Sequence, residues 1–147
     1  MKIGVSACLL GVNCKYNGEN NFSAKLEEYL EGHEVVPLCP EVMGGLSTPR
    51  APAELVEGVV MDREGRSVDE AFRKGAEIAL RHVLEEDVEL VILQSRSPSC
   101  GVKEVYDGSF SGKLIPGKGI FAARLHEAGI SAVDVEDVDE FTLKGGR

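Results

Sequence analysis

The segment 88–93, Val-Glu-Leu-Val-Ile-Leu, is apolar at every position but one. A short run of this kind reads as a strand buried on both faces, and such strands belong to parallel sheets with helices packed on each side. The surrounding chain supplies the matching parts. Lys2–Ser6 reads as a first strand and 33–38 as a second, with Val35, Val36 and Leu38 leading into Cys39. Between them, Ser23 is placed to cap a helix that runs to about Glu31, with Leu26, Tyr29 and Leu30 on one face. Ser67-Val-Asp-Glu reads as a capping box that opens the clearest helix, where Ala71, Phe72, Gly75, Ile78, Ala79 and Val83 recur at helical spacing. A helix over 119–128 closed by Gly129 and a strand over 130–135 follow, and the tail beyond Asp137 adds a short helical turn.

This alternation predicts an α/β fold, a three-layer domain with a mostly parallel, Rossmann-like sheet. Residues 53–66 read as a small β-hairpin insertion, with Val59, Val60 and Met61 on one arm and Glu64-Gly65 at a turn. The segments 7–21 and 39–52 carry too much Gly, Asn or Pro for regular elements. A chain of 147 residues holds one core of ordinary size, so 1–147 is expected to be a single domain.

Sheets of this type bind ligands beyond the carboxyl ends of their strands. Of the four cysteines, Cys8 follows the first strand, Cys39 the second, and Cys100 the loop leaving the strand at 88–93. Three thiols from separate regions therefore meet at one edge, and a soft donor set of this kind suits zinc or an iron–sulfur cluster. Structural zinc takes four protein ligands, usually from close cysteine pairs that this chain lacks. A fourth ligand would be Cys14 or a histidine. His33 begins its strand, and His82 and His126 come late in helices that return against the strands, so all three belong at the opposite edge. A cysteine–histidine nucleophilic pair loses its base for the same reason. Three cysteines alone describe a [4Fe–4S] cluster with one open iron, a Lewis acid; Cys14 as the fourth would close it and leave an electron-transfer centre. The spacing leaves these alternatives open.

Other residues reach the same edge. Glu41, two positions past Cys39, is placed to move protons, and Ser97 and Ser99 flank Pro98 next to Cys100 as hydroxyl donors. Arg50 and Arg96 are placed to offset thiolate charge or hold an anionic substrate group. Gly117-Lys-Gly-Ile-Phe-Ala fits a dinucleotide fingerprint but does not follow the first strand, which leaves an amide nest at a helix start for one oxygen atom. The formal charge of -9 disfavours a grip on DNA, intact RNA or an anionic membrane face and favours a small-molecule partner. No apolar stretch approaches the roughly 20 residues of a membrane span, and the N-terminal run is too short for a signal peptide, so the expected location is cytoplasmic.

Five blocks then carry a resemblance: SACLLGVNCKYNG at 6–18, CPEVMGGLSTPRAPAE at 39–54, SRSPSCG at 95–101, YDGSFSGK at 106–113 and GKGIFAARL at 117–125. In this order they resemble the thiouracil desulfidase family, TudS. The resemblance implies a [4Fe–4S] enzyme that removes sulfur from thiolated uracil, releasing uracil and hydrosulfide without net electron transfer. Its three cluster ligands fall on Cys8, Cys39 and Cys100, its acid/base carboxylate on Glu41 and its assisting serine on Ser97. The substrate sulfur would bind the free iron, and Cys14 has no ligand role by this likeness. The competing expectation is a non-catalytic iron–sulfur or zinc module that uses all four cysteines.

Overall fold

The structure, a computed structural model, describes residues 1–139 and 142. Its centre is a four-stranded parallel sheet in the order β2-β1-β5-β8, built from β1 (Lys2–Ser6), β2 (Glu34–Leu38), β5 (Leu90–Leu93) and β8 (Ala132–Asp134). The predicted strand at 88–93 is thus an inner strand, paired with β1 on one side and β8 on the other. All four residues of β5 are buried: Ile92 faces one side with Ile3 and Val5, while Val91 and Leu93 face the other with Val36 and Leu38. Fully burying side chains of this size stabilises a fold by about 1.5–3 kcal/mol each, which makes both faces of the sheet a core.

The strand order reverses direction at β1. The chain moves outward from β1 to β2, then crosses back to β5 and on to β8. Right-handed crossovers in opposite directions put their helices on opposite faces. Accordingly α1 (Ala24–Leu30) packs Leu26 and Leu30 on the Ile3–Val5 face. The long α3 (Asp69–Glu85) and α4 (Ile120–Glu127) cover the other face with Ala76, Ala79, Val83, Phe121 and Leu125. No helix among the described residues is long and apolar enough to cross a membrane.

Several local expectations hold and several do not. Ser23 caps α1, its side chain accepting from Leu26 N–H, and Gly129 takes a positive φ just past α4. Ser67 does not cap α3: the helix starts at Asp69 after an uncapped Val68. Asp69 instead uses its carboxylate to accept from Val60 N–H and Arg73, tying the helix start to the hairpin. That hairpin, β3 (Ala53–Val56) and β4 (Val59–Asp62), turns at Glu57-Gly58, both with positive φ, and not at Glu64-Gly65. Glu64-Gly65 makes a separate turn folded around the buried Asp62 carboxylate, which accepts from the Glu64 and Arg66 amides. Two elements went unanticipated: α2 (Pro40–Met43), within the segment read as loop, and a second hairpin, β6 (Glu104–Tyr106) with β7 (Leu114–Pro116). The helical turn expected beyond Asp137 falls mostly on residues outside the described range.

The short α2 meets α3 backbone to backbone at two glycines. A Cβ on Gly75 would sit 1.8 Å from the Pro40 carbonyl oxygen, and one on Gly44 would sit 2.1 Å from that of Ala71. Alanine is intrinsically favoured over glycine in a helix interior by about 1 kcal/mol. Gly75→Ala is nevertheless expected to destabilise the protein by about 1–3 kcal/mol, because the clash is with backbone that cannot swing aside. Denaturant titration checks this; an unchanged or raised midpoint would contradict the close packing.

Candidate active site

The three strand-end cysteines reach their common edge by three local devices. Cys8 sits in a 3-10 turn, Ala7–Leu10, directly after β1, and Gly11 closes that turn with φ of 95°. Cys39 is the N-cap of α2, with Pro40 at the first helical position, where its missing N–H is not needed. Cys100 ends the loop that leaves β5; its amide donates to Ser97 Oγ at 3.1 Å. The strand-order reversal puts the carboxyl ends of β1 and β5 side by side where the chain changes direction, the place where such sheets open a crevice. That crevice is a cavity of about 930 Å³ lined by all four cysteines, Glu41, Arg50 and Ser97.

Cys14 joins the group. Its one thiol proton is shared between the neighbouring sulfurs, Cys39 foremost and then Cys8, which with burial holds its own ionisation far above the ordinary thiol value. The same contact lowers Cys8 to about 7 against the opposing effect of burial, with Asn21 Nδ2 also donating to its sulfur at 3.6 Å. Cys39 is lowered too, first by Cys14, with the Val42 amide contributing. Cys100 behaves oppositely: burial and the nearby Glu41 charge push its thiol up, against the smaller effect of the Ser99 hydroxyl 3.5 Å from its sulfur.

Glu41, in the first turn of α2, is gripped at both carboxylate oxygens. Arg50 Nη2 donates to Oε2 at 3.3 Å, and Ser99 Oγ donates to Oε1. Arg50 is itself almost wholly enclosed: Nη2 also reaches the Cys14 carbonyl at 3.0 Å, and Nη1 reaches Ser47 O and Thr48 Oγ1. One guanidinium thus ties the carboxylate, the Cys14 loop and the segment after α2 together, as its planar fork of five donors permits.

The remaining candidates divide. Ser97 lines the cavity, and its Oγ accepts from the amides of Ser99 and Cys100. Ser99 is fully buried and takes the Glu41 contact that the sequence offered equally to either serine. Arg96 lines the cavity but spends its guanidinium on Glu104 and Glu136. The amide nest at the start of α4 is not open to a ligand: Ile120 donates to Pro98 O, and Phe121 and Ala122 donate to Ser99 O. None of the histidines lines the cavity. Among the described residues no three His, Cys, Asp or Glu side chains are grouped as a single metal ion requires.

The two hairpin regions also line the cavity and bring in residues the sequence did not single out: Arg63, Tyr106 and Phe110, with Tyr16 from the Cys14 loop. Glu54 holds the two regions together, its Oε1 accepting from the amides of both Gly108 and Phe110. A signal existed in Asp107-Gly108 and Gly112-Lys113 between the apolar pairs Val105-Tyr106 and Leu114-Ile115, the pattern of a hairpin with a long loop.

Comparison with known proteins agrees with this architecture. The 2-thiouracil desulfurase family matches residues 3–137. The chain is 37% identical over 146 residues to the uncharacterized protein YbbK of Bacillus subtilis (strain 168), covering 92% of this chain and 97% of that one. It is also similar to the solved structure of the [4Fe-4S]-dependent thiouracil desulfidase TudS, with a TM-score of 0.89 and 38% identity over 97% of this chain and 96% of that chain. By matched length and by fold, the chain belongs to the 2-thiouracil desulfurase family.

Proposed function

We propose that this protein is a [4Fe–4S]-dependent desulfidase that hydrolyses a thiolated uracil to uracil and hydrosulfide, acting as a single domain in the reducing cytoplasm. The observation that carries this reading is the meeting of three strand-end thiols and a clamped carboxylate on one cavity. Cys8, Cys39 and Cys100 are the ligands of the cluster. A soft, all-thiol donor set around a roomy cavity, from a chain without close cysteine pairs, fits a polynuclear cluster better than structural zinc. When bound, the cluster supplies an iron open to a soft thiocarbonyl sulfur, a Lewis acid for the carbon–sulfur bond.

The chain's own residues do the rest. Glu41 takes a proton from the attacking water and directs it onto the ring carbon, with Arg50 keeping its carboxylate in place. Ser97, whose oxygen is held by two backbone amides, assists by turning its one hydroxyl proton from Ser99 onto the bound base. Oxygen replaces sulfur at the same oxidation level, so the overall step is hydrolysis and no electrons leave or enter. The aromatic rings of Tyr16, Tyr106 and Phe110 among the lining residues suit a flat heterocycle, and the net charge of -9 suits a small substrate over a nucleic acid.

The presence of Cys14 on the same cavity as the other three thiols supports a second reading, a closed four-thiolate centre that transfers electrons. Two variants separate the readings after anaerobic reconstitution. Glu41→Ala is expected to keep the cluster absorbance while sulfide release from 2- or 4-thiouracil falls by about 100-fold or more; full activity, or loss of the cluster, would remove Glu41 from the proposed role. Cys14→Ser is expected to keep a largely normal spectrum, whereas Cys8→Ser bleaches it. Equal bleaching by both would favour the closed centre.

A further inference from the structure

Ser99 is the one hydroxyl of the loop that never reaches the cavity, yet it is the best anchored. Its exposure is 0%, and its side chain is turned inward onto Glu41. Its amide donates to Ser97 Oγ at 3.0 Å, and its carbonyl accepts from two successive α4 amides, Phe121 at 2.9 Å and Ala122 at 3.0 Å. Gly119 permits that clasp, since a Cβ there would lie 2.5 Å from the Ser99 carbonyl carbon. The backbone of Ser99 is therefore held at its carbonyl by the start of α4 and at its amide by the Ser97 side chain.

The direction of the hydroxyl chain follows from donor counting. Ser97 Oγ accepts two amides, so its proton is free to point at Ser99 Oγ, 3.1 Å away. Ser99 has one proton, and the carboxylate is the strongest acceptor within its reach. Ser97 thus leads to Ser99, and Ser99 to Glu41. Arg50 holds the other carboxylate oxygen from the loop side, where the cavity opens.

We propose that Ser99, clasped by the start of α4, is a positioning residue that fixes the rotamer of Glu41 and links it to Ser97. The proposal rests on the desulfidase reading given above. It gives the Gly117–Ala122 stretch a purpose other than ligand binding: its amides hold the residue that holds the carboxylate. Misplacing a catalytic group by about 1 Å can cost about 100-fold in rate, so an indirect role of this kind has a measurable size.

The test is a double-mutant cycle on the reconstituted full-length enzyme, with cluster content and melting temperature as controls. Ser99→Ala is expected to lower kcat by about 10- to 100-fold with KM little changed. In the Glu41→Ala background the same substitution is expected to cost nothing further, because residues that act through one another are not additive. Gly119→Ala, which displaces Ser99 without removing its hydroxyl, is expected to reproduce the loss and the non-additivity should Ser99→Ala fold poorly. A crystal structure of the Ser99→Ala apoprotein gives a reading free of turnover: the Glu41 carboxylate leaves the Ser97 side and swings toward Arg50. Multiplicative losses, or an unmoved carboxylate with full kcat, would overturn the positioning role and leave the desulfidase reading standing. Full activity of Glu41→Ala alone would overturn both.

Discussion

The parallel pairing of β1 with β5 is the constraint from which the rest of the molecule follows. Both strands are buried on both faces, so neither can shift register without sending its side chains into the wrong core. Because the chain changes direction at β1, the crossover helices must lie on opposite sides of the sheet, and the carboxyl ends of β1 and β5 must open onto one crevice. Cys8 and Cys100 leave from those two ends, and Cys39 leaves from β2 beside them. The convergence of the thiols thus begins with sheet topology, and the loop after β5 completes it by bringing Cys100 back to the edge.

What loops add is exactness of a second kind, achieved by backbone contact. Gly44 and Gly75 let α2 sit directly on α3, which seats Cys39 and Glu41 against the most regular helix of the protein. Gly119 lets the loop before Cys100 sit directly on α4. In both places a missing side chain is the means by which a catalytic-edge segment borrows the rigidity of a core helix. The polar clamp of Arg50 and Ser99 on Glu41 then joins the two segments across the crevice. An enclosed carboxylate satisfied at both oxygens by fixed partners needs little reorganisation when charge moves, a property that active sites exploit widely.

Much of this was legible in the chain. The buried strand at 88–93, the Ser23 cap and the helix ending at Gly129 depend on local periodicity and local hydrogen bonds, which a sequence displays directly. The edge location of Cys8, Cys39 and Cys100 followed from strand ends alone. The failures also have local causes. Ser67-Val-Asp-Glu has the composition of a capping box, but the Ser67 hydroxyl accepts from the Asp69 amide one residue early, and the tertiary bond from the Val60 amide to the Asp69 carboxylate fixes the helix start. The strands of the second hairpin are three residues each, too short for alternation to register. Ser97 and Ser99 are chemically identical neighbours of one proline, and only the path of the loop decides which faces the cavity and which faces Glu41.

The sequence by itself determined the class of the protein: an alternating α/β chain with soft ligands at its strand ends and a carboxylate two residues from one of them. These are properties of spacing along a chain, and spacing survives without coordinates. The tertiary structure alone decided which thiols touch, how Arg50 and Ser99 divide the two oxygens of Glu41, and that the amides of α4 serve the protein and not a ligand. Those outcomes depend on side-chain direction and on backbones approaching within van der Waals contact. Both are set by packing between segments far apart in the chain, so no local pattern encodes them.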